Sequence, residues 1–162
     1  MFRWTVVALA ALGCAPFAPP SAPSPLLGES LPSLQRPSLD GRRPQTEGAE
    51  VVVVKFFADF CEPCKKTLPA AEALHQARPE VRIIGVSEDE YRKDAIALVR
   101  RFGLTFPVIH DRANVVSGQF RVTALPAVFV ADGQGTIRWV GPSTATEQDI
   151  EAAVDYVASL PR

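Results

Sequence analysis

The chain has 162 residues, of which 47% are hydrophobic and 22% charged, with a formal net charge of -1. That length leaves room for one domain behind an N-terminal leader, and the near-neutral balance excludes the basic footprint of a nucleic-acid binder. Three cysteines, Cys14, Cys61 and Cys64, are too few to scaffold a fold with disulfides.

Residues 1–13 have the pattern of a signal peptide. Arg3 supplies a short positive start, and Thr5 to Leu12 is an apolar run too short to span a bilayer. Ala11-Leu12-Gly13-Cys14 resembles a bacterial lipobox, with alanine where leucine is more usual. The resemblance implies a lipoprotein in which Cys14 carries the lipid and the protein works outside the cytoplasm, anchored to a membrane. More than one acyl chain gives stable anchoring, and disulfides persist in that compartment. Residues 14–27, rich in proline, alanine and serine, favour extended polyproline II and read as a tether.

Residues 28–162 form the expected domain. Leu31-Pro32-Ser33-Leu34 and Ser38-Leu39-Asp40-Gly41 read as short strand pieces joined by an Asp-Gly turn, an N-terminal hairpin. Val51 to Phe57 is apolar on both faces except at Lys55, which predicts a central strand covered on each side. A helix from Cys61 to Ala77 follows, with Leu68, Ala71 and Leu74 on one stripe. The pattern then predicts a strand over 81–86, a helix over 91–102 stopped by Gly103, and a strand over 106–110. A short helix over 114–120 and a strand opening at Pro126 come next. Asp132-Gly133-Gln134-Gly135 reads as a hairpin turn into 136–140, and Thr146 as the cap of a closing helix over 147–160.

Cys61-Glu62-Pro63-Cys64, placed where a buried strand becomes a helix, suits reversible dithiol–disulfide chemistry. Unpaired N–H groups and the positive end of the helix dipole favour a thiolate at Cys61. Cys64 lies one turn on, within bridging reach, and Pro63 has no N–H to lose in the first helical turn.

Phe56-Phe57-Ala58-Asp59-Phe60-Cys61-Glu62-Pro63-Cys64-Lys65, with Pro69 beyond it, resembles the active-site segment of thioredoxins. Cys-Glu-Pro-Cys in particular is similar to the TlpA/ResA-like branch, and the resemblance covers roughly residues 28–158. It implies an α/β fold: a thioredoxin-like central mixed sheet flanked by helices, with an N-terminal hairpin. The long interval from Cys64 to Pro126 implies the TlpA-type strand–helix insertion.

The implied activity is that of a thiol–disulfide oxidoreductase acting on protein disulfides. Cys61 would be the nucleophile and Cys64 the resolving thiol. Recharging would come from a membrane thiol-electron carrier, cytochrome c biogenesis would be a candidate setting, and a monomer with no cofactor or metal would suffice. By the same resemblance Pro126 is a cis-proline facing the cysteines, with Leu125 beside it as the facing wall. Phe60 stands where tryptophan is usual and shapes an apolar rim.

Glu62 is expected to face solvent and raise the thiol pKa slightly. Lys55 stands where thioredoxins bury an aspartate. It either lies beneath the cysteines and tunes the Cys61 thiolate, or bends out to solvent along its stem. Thr67 replaces a glutamate found in some ResA-like proteins. His75 and His110 are read as surface or structural, and Glu88-Asp89-Glu90 as capping the next helix. The competing reading is a thioredoxin-fold copper metallochaperone using both cysteines and His110.

Overall fold

In a computed structural model, which describes residues 16–161, the valine run becomes β1 (Val51–Phe57). It is followed by α1 (Glu62–Ala77), β2 (Val81–Ser87), α2 (Arg92–Phe102) and β3 (Val108–His110). Then come α3 (Val115–Gln119), β4 (Ala127–Asp132), β5 (Ile137–Val140) and α4 (Glu147–Ala158). The strands form one sheet in the order β3-β2-β1-β4-β5. β1 lies parallel to β2 and antiparallel to β4, so the sheet is mixed. Between Cys64 and Pro126 the chain makes two strands and two helices beyond α1, which accommodates the long interval seen in the sequence.

Alternation along β1 feeds two cores. Val51, Val53 and Phe57 pack with Leu68 of α1, Leu98 of α2, and Val154 and Val157 of α4. Val52, Val54 and Phe56 face the other way, toward Val116 of α3 and Phe120. There Phe129 meets Phe56 and Phe120 edge to face, and Phe56 and Phe120 are tilted against each other, with ring centroids 5.0 to 5.8 Å apart.

Among the described residues, the second face has only the five-residue α3 as helical cover. The N-terminal segment completes it through Leu26, Leu31 and the buried Leu34. This corrects the expected N-terminal hairpin. Ser30 bridges Thr136 at one edge of the sheet and Ser38 bridges Ile109 at the other, so the intervening residues cross the face. Pro32 and Pro37 bring no N–H to a mutual ladder, whereas β5 and β3 present open edges. The Asp40-Gly41 turn does form, with Gly41 at φ 84°, but it closes Ser38 onto Arg42.

Within the stretch expected as a tether, Ala22 N donates to Val140 O at 2.7 Å and Trp139 Nε1 to Pro20 O at 3.0 Å. Cys14 and the leader lie outside the described residues. Other bounds shift for local reasons. β3 starts at Val108 rather than 106, after a proline without an N–H. α4 opens with a reciprocal capping box between Thr146 and Asp149.

Candidate active site

Phe57 ends β1 and the chain turns through Ala58-Asp59-Phe60 into α1. The turn is held from outside: Asp59 N donates to the buried Asp89 carboxylate at 2.8 Å, and Cys61 N to Ala58 O at 3.0 Å. Cys61 is the cap of α1 rather than its first residue, in extended backbone at φ -92°, and its Sγ accepts from Cys64 N at 3.3 Å. That contact puts Sγ among the unpaired N–H groups at the positive end of the helix, which favours a thiolate when the pair is reduced. Pro63 occupies the first turn, as its sequence position predicts.

The two sulfurs are bonded at 2.00 Å with Cα atoms 5.3 Å apart. Cys64 is fully buried, whereas Cys61 keeps 6% of its surface. The remaining surface opens into a groove. Phe60, Cys61 and Pro63 line one side, Thr123 and Leu125 the other, with Glu88 also in the lining. Phe60 is 76% exposed, a bare ring at the rim. The Leu125–Pro126 peptide is cis, and Pro126 lines a neighbouring hollow with Pro63, Thr67 and Glu147.

Glu62 points to solvent as expected, but it is not an isolated charge. Lys65 Nζ lies 2.9 Å from Glu62 and 3.3 Å from Asp59. The lysine holds the Glu62 carboxyl below the usual carboxylate range and offsets the field that would raise a thiol pKa.

Lys55 takes the buried alternative. It is 1% exposed, and its Nζ donates to Thr67 Oγ1 at 2.8 Å, while Thr67 Oγ1 donates to Cys64 O at 3.1 Å. The lysine therefore reaches the second cysteine's backbone, not Cys61. Burial pushes its pKa down to about 8, with Glu147 across a small cavity opposing the shift. Thr67 is the neutral link in this chain.

The acidic run Glu88-Asp89-Glu90 braces the active-site turn and α3 rather than capping α2. Tyr91 caps α2 with no side-chain bond, so Glu88 and Asp89 do not cap it. Glu88 instead accepts from Ser117 Oγ at 2.6 Å, and Asp89 accepts from Ser87 Oγ at 2.8 Å as well as from Asp59 N. His110 Nε2 meets Asp89 O at 2.7 Å, a structural role. His75 is half-buried rather than exposed: its ring stands edge-on to Phe106 at 5.9 Å, and its buried Nδ1 has no hydrogen-bond partner among the described residues.

The AhpC/TSA family matches residues 27–140. The chain belongs to that family. It is 30% identical over 108 residues to a thiol-disulfide oxidoreductase ResA of Geobacillus kaustophilus, covering 65% of this chain and 62% of that protein. It is 27% identical over 135 residues to the ResA of Geobacillus thermodenitrificans, covering 81% of this chain and 78% of the relative. A secreted Mycobacterium tuberculosis disulfide oxidoreductase homologous to E. coli DsbE shares the fold. Its TM-score is 0.66 at 22% identity, over 78% of this chain and 97% of the other. With Cys61 and Cys64 at disulfide distance, this AhpC/TSA-family chain is a thiol–disulfide oxidoreductase, similar to the ResA relatives.

Proposed function

We propose that the protein is an extracytoplasmic reductase of protein disulfides, anchored to the membrane through Cys14. The asymmetry of the pair carries the reading: Cys61 borders the groove beside Phe60 and Leu125, and Cys64 is sealed behind it. In the reduced protein the Cys61 thiolate attacks one sulfur of a target disulfide, forming a mixed disulfide and releasing the target's other sulfur as a thiolate. Cys64, deprotonated, then attacks Cys61 Sγ. The Cys61–Cys64 bond forms, the target leaves as a dithiol, and two electrons have passed to it. A dithiol carrier in the membrane restores the reduced pair. The thiols of apocytochrome c, which must be reduced before haem attachment, are the leading substrate class by family analogy.

Lys55 belongs to the resolving half of this cycle. Its charge, linked through Thr67 to the backbone of Cys64, favours the buried Cys64 thiolate at the moment it is needed. The copper-delivery alternative gains no specific support, because His110 spends Nε2 on the Asp89 carbonyl.

The test is a trap. Cys64→Ser cannot resolve, so it should accumulate mixed disulfides through Cys61 with envelope proteins, visible on non-reducing gels and identifiable by mass. Cys61→Ser should accumulate none. Equal trapping by both variants would contradict the division of roles.

A further inference from the structure

The N-terminal segment is not only docked on the sheet; its direction is fixed. Ser21 Oγ accepts from Val140 N at 3.1 Å and donates to Val140 O at 3.2 Å. Further along, Gly28 N donates to Ile137 O at 2.8 Å and Leu31 N to Gly135 O at 2.7 Å. The strap thus runs antiparallel to β5, from Val140 toward the turn that precedes the strand. Val140 lies opposite Phe129, which lies opposite Val54, while Ile137 lies opposite Ala131, which lies opposite Val52. β1 runs from Val52 through Val54 toward the cysteines. The chain therefore enters the strap on the half of the sheet nearer Cys61–Cys64 and leaves it at the other end, beside Gln134.

Docking stops just before this point. Pro19 is buried, but Phe17 is 90% exposed. Five residue steps separate Cys14 from Pro19, a reach of about 18 Å at full extension. That is close to the radius of the domain, so whatever holds Cys14 holds the corner where the strap begins. An exposed aromatic between anchor and strap also suits the headgroup region of a bilayer.

We propose that the strap is an orienting device: with Cys14 anchored, it turns the Cys61–Cys64 end of the sheet toward the bilayer and the Gly133-Gln134 turn away from it. The matching redox partner is a dithiol carried in the same membrane. The proposal rests on the anchored reading, and its test is built to stand apart from it.

In the full chain with Cys61–Cys64 oxidised, Cys14 is the only free thiol. It is coupled to a maleimide lipid in phosphatidylcholine vesicles, whether or not it is lipidated in cells. A donor dye is placed through a bioorthogonal residue at Gln148, in the first turn of α4, or at Gln134, in the β4–β5 turn. Energy transfer to a headgroup acceptor should be at least twofold stronger from 148 than from 134. Ala22→Pro, which removes the N–H bonded to Val140 O, should shrink that difference. With a dihydrolipoyl headgroup lipid as reductant, it should also slow reduction of Cys61–Cys64 severalfold at unchanged coupling. Equal or reversed transfer, or reduction indifferent to Ala22→Pro, would overturn the proposal. Labelled-palmitate incorporation into the wild-type chain, compared with Cys14→Ser, decides the anchored reading separately.

Discussion

Asp111 and Lys55 are both charged residues sealed inside this domain, and the fold treats them in opposite ways. Asp111, just past β3, is given every partner it needs. Its carboxylate accepts from Val115 N at 3.0 Å and Ser117 N at 2.8 Å, and Arg36 lies 3.2 Å away. Lys55, in the middle of β1, bonds among the described residues to one neutral hydroxyl, that of Thr67. A buried charge with a full set of partners is architecture: Asp111 fixes the start of α3 and so the cover over the second core. A buried charge left short of partners costs stability and titrates within reach of neutrality. Such a group is kept for chemistry more readily than for folding.

The largest effect should come from breaking the architectural charge. Asp111→Ala leaves the buried Ser117 N and the part-buried Val115 N without their acceptor, and should destabilise by about 2–4 kcal/mol. Urea melts should show a lower midpoint with an unchanged slope. A loss below about 1 kcal/mol would erase the contrast.

Next comes Lys55→Met, which should act in the opposite direction and raise stability at pH 7 by about 1–3 kcal/mol. The pH dependence has a definite sign. Folding lowers the lysine pKa from 10.5 to about 8, so between those values the unfolded chain binds more protons than the folded one. Stability of the wild type should therefore rise with pH across that window relative to Lys55→Met. A wild type and variant with parallel pH profiles would mean that Lys55 is not buried as a charge.

The smallest effect sharpens the comparison. Thr67→Val removes the acceptor for the Lys55 ammonium and should cost about 1 kcal/mol at pH 7. The same change in a Lys55→Met background should cost much less, and the double-mutant cycle reads the coupling. Additivity would show that the hydroxyl serves only Cys64 O.

The sequence made one of these two residues visible and hid the other. Lys55 stood out because it interrupts an apolar run, and the strand, the cysteine spacing and Pro126 could be read from local pattern and family likeness. Whether Lys55 turned in or out could not be read, since that depends on Thr67 and Glu147 arriving from α1 and α4. Asp111 gave no signal, nor did the Asp89 hold on Asp59. Their partners lie up to 75 residues away for Asp111 and 30 for Asp89, and such pairings leave no periodicity. The N-terminal hairpin failed for a related reason. Turn chemistry at Asp40-Gly41 was correct, but which edges the flanking residues would meet was set by the whole sheet.

In the proposed cycle the Cys61–Cys64 pair delivers electrons to protein disulfides. Its most direct test is the reduction potential of the pair at pH 7, by equilibration against a dithiol buffer. A value near or below about -270 mV, in the range of thioredoxin, is the predicted result. A value near about -120 mV would make the protein an oxidant and contradict the account.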